Sequence, residues 1–195
     1  QTNPPGIYDN ITLLSTPDTQ KVHSMYLEGE WLHWVKTGSQ LFSGRVDPAN
    51  PTAITDVKRP STNPGSLGPN SICPLSSPVG LYVNSAHKQL VMSCKSGGVF
   101  RFNVDTDTRM ITQKQPMSTK VPEDPQSSAV APELGRVFFR SPGKLYGADI
   151  DLGIPAVTGF ETLISNTTMV KYYGGMSVVP NAREWSATTT IYWAI

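Results

Sequence analysis

The chain has 195 residues, 16 Lys and Arg against 15 Asp and Glu for a formal charge of +1, and 38% hydrophobic residues. That is enough apolar chain for a substantial core, in a single domain over 1–195 or in a fragment of one. The scattered charge excludes the basic stripe that nucleic acid requires, and no apolar run approaches the roughly 20 residues of a membrane helix.

Helical periodicity is nearly absent, and 16 Gly and 17 Pro interrupt most windows. Short β-branched and aromatic runs separated by turn residues predict an all-β protein. Asn10 to Ser15 (NITLLS) reads as a lone strand. Then one pattern recurs three times. A short strand comes first: Ser24 to Leu27, Gly80 to Val83, Ser128 to Ala131. A second follows: Trp31 to Lys36, Gln89 to Cys94, Arg136 to Ser141. Tight turns lead to a third: Leu41 to Asp47 (LFSGRVD), Val99 to Asp105 (VFRFNVD), Leu145 to Asp151 (LYGADID). A fourth closes the unit: Ala53 to Lys58, Arg109 to Lys114, Phe160 to Ser165. Met176 to Val179 and Thr190 to Ala194 read as the first two strands of a further unit.

In the third strand the aromatic and the Val or Ile share one face, with the leading aliphatic on the other. Four-stranded meanders repeated every 45 to 55 residues or so are the signature of a β-propeller. The expected fold is therefore an all-β propeller of three full blades with partial terminal strands. It closes as a four-bladed ring, with Asn10 to Ser15 completing the last blade, or forms part of a six-bladed propeller. Self-association or continuation through the unfinished terminal blade is the corresponding partner expectation.

LHWVKTGSQLFSGRVD and VFFRSPGKLYGADID resemble the LYWTD…IYRANLDG pattern of YWTD propeller repeats, and the terminal IYWAI resembles a further YWTD strand. Lys36, Cys94 and Ser141 stand where that motif has Asp. More distantly, Val79 to Ile195 is similar to the carboxy-terminal half of six-bladed propellers of the yellow and major royal jelly type. The matching pieces are LVMSCKSGGVFRFNV, SSAVAPELGRVFF and MSVVPN…IYWAI.

Few residues suggest chemistry. His23, His33 and His87 have no metal-ligand spacing and read as structural or surface residues. Asp47, Asp105 and Asp151 recur at strand ends, which points to turn hydrogen bonding rather than catalysis. No nucleophile elbow, zinc-protease, P-loop or dinucleotide motif is present. No catalytic, cofactor-binding or metal residue is assigned, and no cofactor is expected.

Cys73 lies in the long Pro60 to Pro78 segment and Cys94 ends a second strand on the same propeller face, which predicts a disulfide between them. The sequons at Asn10 and Asn166 predict glycans. With the even cysteine count they point to a secreted, extracellular protein that starts after a signal peptide or within a longer chain. The functional expectation is a non-enzymatic propeller that recognises a protein, glycan or small ligand through its loop face. The alternative is a gluconolactonase-type hydrolase with a channel-bound divalent cation, for which Glu28, Asn84, Glu133 and Asn181 are the candidate rim residues.

Overall fold

A computed structural model describes residues 22–36, 40–50, 53–58, 73, 78–96, 98–105, 111–165, 176–180 and 189–193. Asn10 to Ser15, Asn166, Asn181 and all of Pro60 to Pro78 except Cys73 and Pro78 lie outside them.

Three antiparallel four-stranded meanders follow one another along the chain. The first is β1 (Val22–Glu28), β2 (Trp31–Lys36), β3 (Gln40–Val46) and β4 (Ile54–Lys58). The second is β5 (Pro78–Asn84), β6 (Gln89–Cys94), β7 (Gly98–Val104) and β8 (Ile111–Ser118). The third is β9 (Ser127–Ala131), β10 (Arg136–Ser141), β11 (Lys144–Asp151) and β12 (Ala156–Ser165). A two-stranded sheet, β13 (Met176–Pro180) and β14 (Thr189–Trp193), comes last. The first strands run side by side in order, β1 beside β5, β5 beside β9 and β9 beside β13. Sheets stacked face to face with adjacent inner strands are propeller blades.

Two hydrophobic cores hold the stack together. One joins Val35 and Leu41 of the first blade to Leu81, Val83, Met92, Phe100 and Val104 of the second. The other joins Val91 and Val99 of the second blade to Val137, Phe139, Ala148 and Ile150 of the third, with Tyr146 packed against it. The face alternation read from the third strands therefore has a direction. The aromatic and the Val or Ile look back to the preceding blade, and the leading aliphatic looks forward to the next.

The middle blade is buried on both faces, and every residue of QLVMSC but Gln89 is buried. Gly80 lets β5 approach β9: a Cβ there would overlap the side chain and carbonyl of Ser128.

The fourth strands depart most from expectation. Register shifts interrupt β3–β4, β7–β8 and β11–β12, and at each a left-handed residue occurs: Asp56 (φ 47°), Gln113 (φ 53°) and Gly159 (φ 64°). These are β-bulges at one place in the repeat, after Ile54-Thr55, Ile111-Thr112 and Val157-Thr158. In the third blade Gly159 bends the strand without breaking it, so β12 starts at Ala156 rather than Phe160. β8 runs on through Pro116, which an outermost strand accommodates because one row of its N–H groups pairs with nothing in the sheet.

Candidate functional site

Residues from three successive blades meet where the first strands end. β1 brings Tyr26 and Glu28, β5 brings Tyr82 and Asn84, and the 3₁₀ turn Pro132–Leu134 after β9 brings Glu133. Tyr26 and Tyr82 hold the same place in SMYL and GLYV, and their rings meet edge to face with centroids 5.3 Å apart. Burial, with the neighbouring Tyr82, Glu28 and Glu133, pushes the Tyr26 hydroxyl up to about 12. Burial raises that of Tyr82 too, against an opposing hydrogen bond from Asn84 and with help from Glu133 and Glu28. Both remain protonated phenols near neutral pH.

The polar groups around them are tied down. Glu28 accepts hydrogen bonds from the Ser85 N–H and Oγ, each at 2.6 Å. Buried His33 places Nε2 3.5 Å from the same carboxylate and Nδ1 2.8 Å from Ser43 Oγ. Asn84 donates from Nδ2 to the Tyr82 hydroxyl at 3.2 Å and accepts from the His87 N–H at 3.1 Å, which caps the 3₁₀ turn Ser85–His87.

Of the rim residues named from the sequence, Glu28, Asn84 and Glu133 thus come together, and Asn181 lies outside the described residues. Tyr26 and Tyr82 were missed, although the recurrence of Tyr in the first strand is visible. His33 is a buried structural residue, while His23 and His87 are exposed. Asp47 accepts from the Ala49 N–H and Asp151 from those of Gly153 and Ile154, the turn role expected of them. Among the described residues no group of three or more His, Cys, Asp or Glu side chains is placed to hold a metal ion, and no helix is long and apolar enough to cross a membrane.

At the opposite ends of the strands, on the loop face, Cys73 and Cys94 are joined by a disulfide with Cα atoms 5.6 Å apart. Beside it Lys95 pairs with Asp124 at 2.6 Å. A shallow polar cleft of about 250 Å³ follows, lined by Glu123, Asp124, Ser141, Pro142, Lys144 and Tyr146.

No protein-family model and no curated protein matches the sequence. Similar solved structures include hydrazine synthase of Kuenenia stuttgartiensis (12% identity, TM-score 0.47, 82% of this chain and 40% of that one). A protein of Bacteroides fragilis assigned as a 6-phosphogluconolactonase shares 13% identity at a TM-score of 0.45, over 71% of this chain and 38% of its own. The periplasmic gluconolactonase PpgL of Pseudomonas aeruginosa shares 10% identity at a TM-score of 0.39, over 76% and 55%. The chain thus spans from under two fifths to just over half the length of these proteins.

Proposed function

We propose that the rim formed by Tyr26, Glu28, Tyr82, Asn84 and Glu133 recognises a neutral, hydroxyl-rich ligand, a glycan end or small sugar, in an extracellular propeller that binds it without transforming it. The observation that carries this reading is the convergence, from three blades, of protonated phenols with carboxylates and an amide. Phenols donate, carboxylates accept, and an amide does both, which complements hydroxyls that each donate and accept. Phenols held well above neutral pH do not serve as bases, and Glu28 is anchored by Ser85, so the chemistry on offer is recognition. The disulfide is compatible with an oxidising compartment.

A second reading is a lactone hydrolase with a divalent cation in the channel, the class of activity named for PpgL. What favours it is that Glu28, Asn84 and Glu133 share one rim, as cation ligands drawn from several blades would.

Saturation-transfer NMR with neutral mono- and disaccharides tests the proposal. Transfer to at least one sugar, weakened several-fold by Tyr26→Phe, is expected, and no transfer to any of them overturns it. Glucono-lactone with calcium separates the two readings, since hydrolysis above the buffer rate that Glu133→Gln abolishes establishes the second.

A further inference from the structure

We propose that the polar cleft on the loop face, at the seam between the second and third blades, binds a small zwitterion: an ammonium and a carboxylate on one short carbon frame, as in a free α-amino acid. This site is separate from the rim of tyrosines, which lies at the other ends of the strands. Val91 and Val99 of the second blade pack on Val137 and Phe139 of the third in one core. Alternation along a strand puts Ser93 on the face of Val91 and Ser141 on the face of Phe139, so both hydroxyls belong to this seam, at its loop end. Lys144 pairs with Ser141 across the hairpin and Tyr146 with Phe139, and they share that face. Glu123 and Asp124 come from the connection between the two blades, after β8 and before β9.

Two observations point to a ligand here. The first is a set of buried polar atoms that the fold leaves unsatisfied. Ser93 is 1% and Ser141 4% exposed, yet neither Oγ has a hydrogen-bond partner among the described residues. Nor has the buried Oε1 of Gln126, which lies two residues before Ser128, the partner of Phe139, and whose N–H is held by the Arg140 carbonyl. A buried polar group without a partner costs about 1–3 kcal/mol, so three of them at one end of one seam suit a polar guest. The second is the charge of the cleft. Lys95 and Asp124 satisfy each other at 2.6 Å. The exposed side chains of Glu123 and Lys144 make no ion pair among the described residues, which leaves the cleft one open carboxylate and one open ammonium.

An α-amino acid answers both. Its carboxylate accepts from the Lys144 ammonium and from serine hydroxyls, which donate. Its ammonium donates to the Glu123 carboxylate and the Gln126 amide oxygen, which accept. A simple anion would meet Glu123 at like charge, and a simple cation would meet Lys144 in the same way. A neutral sugar would satisfy the hydroxyls but neither charge. The cleft holds about 250 Å³, just below the roughly 300–1,000 Å³ of sites for drug-sized ligands, which restricts the guest to a short carbon frame. The Pro142 ring and the Tyr146 ring, itself packed against the core between the blades, are the apolar walls for that frame.

Amide chemical-shift titration of the ¹⁵N-labelled chain with glycine and with alanine tests this, beside acetate and methylammonium as probes that carry one charge each. Either amino acid is expected to shift the amides around Ser141 to Tyr146 and Glu123 to Gln126 in a saturable way, while the single-charge probes shift them little. Ser141→Ala and Lys144→Met should each weaken that binding several-fold, and Lys120→Met, an exposed lysine outside the cleft, should leave it unchanged. No saturable shift with either amino acid overturns the proposal. So do equal shifts with acetate or methylammonium, which show a response to charge alone, and shifts confined to other parts of the chain. Binding that survives both cleft substitutions overturns it as well. Should Ser141→Ala fold poorly, Lys144→Met decides alone, because its side chain is on the surface.

Discussion

The carboxylate of Glu28 takes two hydrogen bonds from Ser85, 57 residues further along the chain, and so ties the end of one blade's first strand to the turn after the next blade's. Hydrogen bonds to an ionised group contribute about 1.5–3 kcal/mol each when screened from water, and less when part-exposed. Glu28→Ala is expected to cost about 2 kcal/mol and Ser85→Ala, which keeps the backbone donor, about 1 kcal/mol. In a double-mutant cycle by denaturant unfolding the two changes should be clearly non-additive. Additive effects would mean that the pair does not brace the blades.

Tyr26 gives a pH signature with a definite sign. Its hydroxyl is raised from 10.0 to about 12 in the folded chain, so the folded state holds that proton more tightly than the unfolded state does. The resulting stabilisation is complete below pH 10 and is lost as pH rises from about 10 towards 12. Absorbance titration of the folded chain should therefore show a late-ionising component that Tyr26→Phe diminishes. Simple single-step titration of the folded chain would contradict the packing of the rim.

The Cys73–Cys94 disulfide closes a loop with a sequence separation of 21, and both residues are buried in the core between the first two blades. The chain-entropy relation gives about 3 kcal/mol for a loop of this size. Cys73→Ala/Cys94→Ala should lose roughly that amount in chemical unfolding, and the wild type should lose a similar amount in reductant. Equal stability with and without the bond would show that the Pro-rich segment is held by other contacts.

How far the sequence reveals this depends on which physical rule governs each element. The second strands were legible to the residue, because WLHWVK, QLVMSC and RVFFRS are dense β-formers bounded by turns. The direction in which blades face was half legible: alternation separates Phe100 from Val99, but only packing shows that Phe100 looks back. The bulges were not read, since Asp56 and Gln113 give no sign of a left-handed backbone, and Gly159 reads as well as a break as a bend. At the rim, Glu28, Asn84 and Glu133 could be named because each follows a first strand. Tyr26 and Tyr82 were passed over because an aromatic residue in a strand usually marks core, and Ser85 because its role depends on a carboxylate 57 residues away.

The bulges make their own prediction. At Gly159, with φ 64°, a β-branched side chain is strained and its Cβ would press on the Asp149 carboxylate, so Gly159→Val should cost about 1–3 kcal/mol. Gln113→Gly, at the equivalent place with φ 53°, should be neutral or stabilising by up to about 1 kcal/mol, less whatever its bond with Asn103 contributes. Thermal unfolding of both variants checks the pair. A harmless Gly159→Val would remove the bulge from the account of the repeat.

The contact between Tyr26 and Tyr82 joins the first strands of the first two blades and forms part of the rim on which the proposed function rests. The most direct measurement is a nuclear Overhauser experiment on chain with selectively labelled tyrosines, assigned through Tyr26→Phe and Tyr82→Phe. Ring centroids 5.3 Å apart, edge to face, predict a strong cross-peak between the two rings. Its absence from well-resolved spectra of the folded chain would contradict the side-by-side arrangement of β1 and β5, and with it the propeller.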